Sequence, residues 1–143
     1  MSTLLRLAAT GLLALSCSAA AYGADQPSLY ARLGGKGALT AVVNELWTVV
    51  AADVRINARF AKTRPEAFGG QLVDFLCQAS GGPCTYQGQD MQHAHTGMRL
   101  SDAEFSALAE DTVMALDHFK VPAGEKGEVM RLLASLKSDI VNR

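Results

Sequence analysis

Two histidines stand close together in a short stretch, residues 90–98, between a glycine-rich loop and the start of a helix. On a helix, side chains three or four positions apart share a face. This spacing would bring together Met91, Ala94, His95 and Met98. His93 would lie about 200° around the helix axis from His95 and would face solvent. The pattern therefore predicts one histidine inside an apolar interior and one outside it.

An imidazole among apolar side chains needs a hydrogen bond or a metal ion to compensate for its burial. On spacing alone, a core histidine held by a hydrogen bond is the simpler interpretation of His95. No second histidine, cysteine or carboxylate cluster offers a zinc or di-iron ligand set. A haem iron, however, needs a single imidazole from the protein, because the porphyrin supplies four nitrogens. A structural role and haem ligation both remain open for His95.

Residues 1–23 have the pattern of a secretory signal peptide. Arg6 is the only charged residue before Asp25, an apolar run covers residues 7–14, and small residues follow towards a cleavage site near Gly23. The apolar run is too short to span a membrane comfortably. A retained anchor helix and a lipid attached to Cys17 are the alternatives. We expect the mature chain to be periplasmic or secreted, with no stable membrane insertion after cleavage.

After removal of the signal peptide two cysteines remain, Cys77 and Cys84, and an oxidising compartment favours a disulfide bond between them. Gly81, Gly82 and Pro83 lie between the two and would turn the chain back. Closing so short a loop stabilises a fold by about 2.5 kcal/mol in the chain-entropy model. Two free thiols or two metal ligands are the alternatives, although a metal site would need further ligands nearby.

Apolar residues recur at helical spacing in four stretches, and no stretch shows the alternation of a strand with paired turns. The first helix covers residues 36–52, and the second begins at Pro65 and ends before residues 81–83. The third begins with a capping box of Ser101 and Glu104 and ends before Pro122. Its apolar stripe is Phe105, Leu108, Val113, Leu116 and Phe119. A fourth helix carries the stripe from Val129 to Ile140 and completes an all-α chain.

The composition limits the class of protein. The chain has 143 residues, 49% of them hydrophobic, which suffices for one domain, residues 24–143. Its 13 basic and 14 acidic residues give a net charge of −1 and contain no dense basic cluster, so we expect no nucleic-acid partner. Carboxylates such as Glu45 and Asp90 show no convergent pairing of the kind that an enzyme with its own catalytic set would have.

Several motifs, in their order and spacing, resemble the group 1 truncated haemoglobins. They are residues 29–35, Arg59-Phe60-Ala61, Phe75-Leu76 with residues 79–83, Tyr86-Gln87-Gly88 and residues 90–95. The resemblance covers nearly the whole mature chain. It implies a two-over-two helical sandwich of the truncated globin type that holds one haem b with its iron. Exported members of such families often carry a Cys-x6-Cys pair, which Cys77 and Cys84 match.

The resemblance also implies roles on the proximal side of the haem. His95 matches the proximal iron ligand, and Phe60 matches a phenylalanine that packs against the porphyrin. Met91 and Met98 would line the proximal wall, and Tyr86 belongs to the loop that leads into the proximal segment. Ordinary core packing is the alternative role for Phe60 and the two methionines.

On the distal side the chain departs from the pattern of many relatives. Leu46-Trp47 replaces a Phe-Tyr pair, so Trp47 stands where a tyrosine hydroxyl would face the ligand. Phe68, Gln71 and Leu72 occupy the pocket stretch of the next helix, and Leu72 stands where an amide is common. For Trp47, a core position and a pocket position both remain open.

Two classes of function follow. The first is a haem protein that reversibly binds a diatomic gas, as an oxygen carrier or sensor, or that turns over nitric oxide with an external reductase. The second is a haem-free exported helical interaction module in which His95 is structural. The resemblance favours the first.

Overall fold

The computed structural model describes residues 26–143, so the expected signal peptide and Cys17 lie outside the described residues. The described chain forms α1 (Leu29–Arg32), α2 (Gly35–Ala52), α3 (Asn57–Phe60), α4 (Pro65–Ala79), α5 (Met91–His95), α6 (Asp102–His118), α7 (Ala123–Ser135) and α8 (Lys137–Ile140). Between residues 26 and 143, strand-like pairing is limited to one bridge between Leu100 and Val141. The expectation of an all-α chain is therefore confirmed. No helix in this part of the chain is long and apolar enough to cross a membrane.

Helices α2 and α4 pack against each other in antiparallel directions. Lys36 near the start of α2 forms an ion pair of 2.8 Å with Asp74 near the end of α4. Towards the other end of α2, the ring centre of Trp47 lies 5.7 Å from that of Phe68, near the start of α4. The two helices bury a cluster of side chains between them: Leu39, Val43, Val73 and Cys77.

Helix α6 is also antiparallel to α2. His118 at the end of α6 contacts Glu45 in the middle of α2 at 3.3 Å. Arg55, just beyond the end of α2, pairs with Glu110 of α6 at 2.6 Å. This contact surrounds a second buried cluster: Leu46, Val50, Ile56, Ala107 and Ala115.

Helix α7 runs back along α6. Lys126 near the start of α7 pairs with Asp117 near the end of α6 at 2.5 Å. At the opposite end, Lys137 pairs with Asp102 at 2.6 Å. Two antiparallel pairs, α2 with α4 and α6 with α7, thus form the body of the fold, and the short helices α3 and α5 lie in the connections.

The ends of the later helices partly follow the predictions. The capping box of Ser101 and Glu104 is present, with both reciprocal hydrogen bonds. The inclusion of Phe119 in the buried stripe of this helix is wrong, because α6 ends at His118 and the Phe119 side chain is 44% exposed. The expected fourth helix is divided at Leu136 into α7 and α8.

A disulfide bond joins Cys77 to Cys84, with 5.7 Å between their Cα atoms, in agreement with the prediction. It links the last turn of α4 to the loop that leads into α5. Gly82 has no room for a side chain, since a Cβ there would lie 2.7 Å from the Cys77 sulfur and 2.6 Å from the Tyr30 ring. The glycine therefore permits the close packing of the turn on the disulfide.

Candidate functional site

The two neighbouring histidines belong to α5, a helix of five residues. Its N-cap is Asp90, whose carboxylate accepts the His93 backbone N–H at 2.8 Å. The same backbone bond, with that from the His93 ring, lowers the pKa of Asp90. The side chain of His93 is 73% exposed and pairs with Asp90 at 2.7 Å. His93 faces solvent, as the helical spacing predicts.

His95 is half-buried, and its Nδ1 lies 2.7 Å from the Met91 carbonyl oxygen. A carbonyl can only accept, so Nδ1 is the donor in this hydrogen bond. In the neutral ring this leaves a lone pair on Nε2, the arrangement of a metal-ligating imidazole oriented by a backbone carbonyl. The bond also compensates for burial, so the structural and the ligating interpretations of His95 are compatible.

A cavity of about 430 Å³ opens beside His95. Its wall is largely apolar and contains the other predicted site residues: Trp47, Phe60, Phe68, Gln71, Leu72 and Met91. Among the described residues that line it, His95 is the only histidine. The fold thus brings one imidazole and a ring of aromatic and aliphatic side chains together around one space.

The expectation that Met98 shares a helical face with His95 is wrong. Helix α5 ends at His95, Thr96 is its C-cap, and Gly97 has a φ of +84°, which turns the chain. Met98 follows in this turn with its side chain 38% exposed. Met98 nevertheless lines the cavity, although from the turn and not from the helix.

Three aromatic side chains pack together on the side of the cavity formed by α2, α3 and α4. The ring centres of Trp47 and Phe60 are 6.0 Å apart, and those of Phe60 and Phe68 are 5.6 Å apart. The Trp47 indole N–H donates no hydrogen bond to any residue that the structure describes. Trp47 therefore combines a core contact with a position in the cavity wall.

Gln71 lies at the edge of the same cavity. Its side chain is exposed, and its amide oxygen would be 2.6 Å from a Cβ built on Gly88. The Tyr86 hydroxyl donates to the Gln89 carbonyl at 2.9 Å within this loop, and the Tyr86 backbone N–H donates to Gln78 Oε1 at 2.8 Å, which holds the loop against α4. Gln71 thus sits at the mouth, beside the loop that leads into α5.

An ion pair that the sequence did not predict lies at another edge of the cavity. Arg59 Nε donates to Glu104 Oε1 at 2.6 Å, and Arg59 Nη1 donates to the Met98 carbonyl at 3.1 Å. The guanidinium, together with the Ser101 backbone N–H, lowers the pKa of Glu104 from its ordinary value of 4.5 to about 2. The side chains are 45 positions apart, so no local spacing could have indicated the pair.

A buried carboxyl group lies outside the cavity, between α6 and the end of α2. Asp111 is 1% exposed, and its Oδ2 has no hydrogen-bond partner among the residues described. Burial and the charge of Asp53 raise the pKa of Asp111. Arg55 lies 3.9 Å away and opposes this effect.

The described residues contain no cluster of three or more ligands that could hold a metal ion.

Comparison with known proteins places the chain in a family. The family model for bacterial-like globins matches residues 28–142. Among curated proteins, the group 1 truncated hemoglobin of Tetrahymena thermophila is 32% identical over 118 residues, which cover 82% of this chain and 98% of that protein. A group 1 truncated hemoglobin of Mycolicibacterium paratuberculosis is 32% identical over 117 residues, 82% of this chain and 86% of that protein.

Solved structures give the same result. Truncated hemoglobin from Tetrahymena pyriformis in its Fe(III) form superimposes with a TM-score of 0.79 at 30% identity, over 82% of this chain and all of that one. The 2/2 hemoglobin from Synechococcus, in the cyanomet state with covalently attached heme, gives 0.76 at 32% identity and the same coverage. The expected two-over-two helical fold is therefore confirmed.

Proposed function

Because the chain belongs to the bacterial-like globin family, we propose that it binds one haem b through His95 and reversibly binds a diatomic gas. The observation that carries the proposal is the position of His95: its Nδ1 is held by the Met91 carbonyl while its ring lines an apolar cavity. A free Nε2 is what a haem iron takes from a protein on the proximal side.

The cavity fits this cofactor. A porphyrin is flat and apolar and brings its own four iron ligands, so the protein needs one imidazole and an apolar slot rather than a cluster of ligands. The cavity has a volume of about 430 Å³, within the range of roughly 300–1,000 Å³ for small-molecule sites. Its polar groups, such as Gln71, Tyr86 and Arg59, are few.

The side chains of this chain would act in three ways. His95 would hold the iron, and the Met91 carbonyl would fix the tautomer and orientation of the imidazole. Phe60 and Met91 would pack against the ring system, while Trp47, Phe68 and Leu72 would exclude water from the gas-binding face. When bound, the haem supplies the iron that takes up and releases the gas.

Reversible oxygen binding requires iron in its ferrous state, so we include an external reductase among the partners. Oxygen and nitric oxide are the gases that we propose. The uses of the gas that this proposal includes are carriage, sensing and detoxification of nitric oxide.

We also propose that residues 1–23 direct export of the chain and are then removed. The disulfide bond between Cys77 and Cys84 supports this proposal, because such bonds persist mainly in oxidising compartments. The family match begins at residue 28, after the signal-like segment. Mass spectrometry of the protein from a periplasmic or culture fraction should find a mature chain without residues 1–23 and without a free thiol. An intact start or two titratable thiols would contradict export.

The haem proposal is tested by absorption spectra of the purified mature chain. We expect a Soret band, with ferrous, ferric and carbon monoxide forms. His95→Ala should lose most of the haem, whereas the control His93→Ala should retain the spectrum, because His93 faces solvent. A colourless, fully helical protein that takes up no added haem would overturn the proposal and favour the haem-free interaction module. Equal loss from both substitutions would contradict the assignment of His95.

A further inference from the structure

We propose that Arg59 is a positioning residue for His95: it holds the turn that follows α5 and so fixes where the imidazole stands in the cavity. The proposal rests on the haem-binding function proposed above. It concerns a pair of side chains, Arg59 and Glu104, to which that function assigned no role.

Arg59 uses the whole guanidinium fork in this contact. Its Nε and Nη2 donate to the two carboxylate oxygens of Glu104 at 2.6 and 3.1 Å, and its Nη1 donates to the Met98 carbonyl at 3.1 Å. A bidentate pair with a carboxylate restrains the guanidinium plane far better than a single bond does. Arg59 is thereby fixed by Glu104 and directed at the backbone of the turn.

Glu104 is itself rigidly placed. Its Oε2 accepts the backbone N–H and the hydroxyl of Ser101, both at 2.9 Å, at the first turn of α6. The carboxylate is therefore shared between the start of α6 and Arg59. Through this carboxylate and Arg59, α3 and α6 are joined at one point to the turn that follows α5.

The turn after α5 links Arg59 to His95 through backbone hydrogen bonds. The Met98 backbone N–H donates to the His95 carbonyl at 3.1 Å, so the peptide units on both sides of Met98 are tied, one to Arg59 and one to His95. Gly97, with its φ of +84°, permits the tight turn of the backbone between His95 and Met98. A displacement at Met98 would therefore move the last residue of α5, which is His95.

Helix α5 needs such support because five residues are too few to form a stable helix alone. The far side of the turn is held by the chain terminus: Arg99 N–H donates to the Arg143 carbonyl at 2.7 Å, and Asn142 N–H donates to the Leu100 carbonyl at 2.8 Å. Arg59 holds the near side, from the helix that carries Phe60. The imidazole and Phe60 would contact the same cofactor, so this link sets their relative positions.

A direct role is the competing explanation. Arg59 is the only arginine or lysine among the described residues that line the cavity, and it could pair with the carboxylates at the haem edge. The two roles make opposite predictions for Glu104→Gln. Glutamine retains the capping box but removes the charge that fixes Arg59. If Arg59 positions the turn, this substitution weakens haem retention; if Arg59 pairs with the haem carboxylates, freeing it strengthens retention.

The experiment compares the wild type with Arg59→Met and Glu104→Gln, and with Arg131→Met as a control at an exposed residue of α7 that does not line the cavity. The first measurement is amide hydrogen exchange in the protein as purified, at residues 97–100. The loss of one charge-assisted contact should speed exchange there about tenfold in the first two variants. Arg131→Met should leave it unchanged.

The second measurement is haem transfer to an excess of a haem-binding apoprotein, together with the iron–histidine stretching frequency in the ferrous protein. We expect haem transfer to be several-fold faster in Arg59→Met and in Glu104→Gln, and a shifted or broadened stretching band in both. An unchanged band with slower haem loss in Glu104→Gln would overturn the proposal.

The exchange measurement does not depend on haem. A wild type that takes up no haem, with faster exchange at residues 97–100 in Arg59→Met, would reject the proposed function while retaining the positioning contact. Unchanged exchange in Arg59→Met would reject the positioning contact, whatever the protein binds.

Discussion

Trp47 is the most distinctive side chain on the side of the cavity that we propose faces the gas. Its ring packs against Phe60 and Phe68 and also lines the cavity. The indole packs against both phenylalanines and therefore has little freedom to turn its single N–H. The gas-facing wall is therefore poor in hydrogen-bond donors, with Gln71 displaced to the mouth.

This wall should release oxygen quickly. A dioxygen ligand carries partial negative charge, and one charge-assisted hydrogen bond is worth about 1.5–3 kcal/mol, which is roughly ten- to hundredfold in the rate. We expect fast oxygen release by stopped flow in the wild type, and changes of less than about threefold in Trp47→Phe and Gln71→Ala. Carbon monoxide release, the internal control, should change even less, because this ligand is less polar.

Slow oxygen release in the wild type would contradict the apolar interpretation. If Trp47→Phe then accelerated it tenfold or more, the indole N–H would be the donor. Slow release that survived both substitutions would mean that another group reaches the ligand.

At the scale of elements, the disulfide bond connects the end of α4 to the loop that leads into α5. This loop also contacts α4 through the Gln78 side chain, which accepts the Tyr86 backbone N–H at 2.8 Å, and through the Tyr86 ring, 5.4 Å from that of Phe75. The disulfide therefore reinforces the contact between this loop and the end of α4.

Removal of the disulfide should loosen this end of the molecule first. The double variant Cys77→Ala, Cys84→Ser should lose about 2.5 kcal/mol in the free energy of unfolding, because its unfolded chain is no longer closed into a loop. Amides of residues 78–90 should exchange faster before the rest of the chain unfolds. Urea denaturation and hydrogen exchange provide the measurements, and treatment of the wild type with reductant is the matched control. Uniformly faster exchange along the whole chain would contradict a local effect.

The contact between α2 and α6 contains the buried carboxyl of Asp111. Its folded-state pKa is raised above the ordinary value of 3.8, so the folded protein binds this proton more tightly than the unfolded chain does. Stability therefore falls as the pH rises from about 3.8 through the folded-state pKa. Asp111→Asn, which carries no titratable proton, should be more stable than the wild type at neutral pH by about 1 kcal/mol.

The measurement is urea denaturation of both proteins at a series of pH values. The difference should grow as the pH rises above 3.8, the ordinary pKa of an aspartate. Asn44→Ala, at an exposed residue of α2 without a titratable group, is the control and should lack this pH dependence. A difference that is constant with pH would show that Asp111 is ionised alike in both states.

At the scale of the whole molecule, the cavity lies among helices of both antiparallel pairs. Its wall includes residues of α2, α4, α6 and α7, such as Leu39, Leu72, Phe105 and Leu132. A flat apolar cofactor bound in this cavity of about 430 Å³ would give these side chains additional packing partners. The fold should therefore be considerably more stable when a cofactor fills it.

Haem should raise the melting temperature in proportion to the logarithm of its free concentration. A ligand that binds only the folded state at 1,000 times its Kd stabilises by about 4 kcal/mol. Thermal unfolding with increasing haem measures this effect, and His95→Ala is the control, in which the increase should be largely lost. A wild-type melting temperature that did not respond to haem would contradict binding in the cavity.

Much of the local structure follows from sequence spacing. The capping box of Ser101 and Glu104 and the opposite exposure of His93 and His95 depend on residues within four positions of one another, so the sequence alone predicts them. The predictions failed where a helix ends. Phe119 and Met98 continue a helical pattern in the sequence, but the chain has already left the helix at both positions.

Sequence patterns alone predict the four longer helices and their apolar faces, because helical hydrogen bonds and side-chain periodicity act over one or two turns. Helices α1 and α3, of four residues each, are too short to show such a pattern. Only the tertiary structure brings together charged groups that are far apart in the sequence. Arg59 reaches Glu104 and the Met98 carbonyl across 45 and 39 positions, and the burial of Asp111 follows from the packing of α6 on α2. The cavity, likewise, exists only once antiparallel helices enclose it, since burial is a property of the assembled faces and not of any one of them.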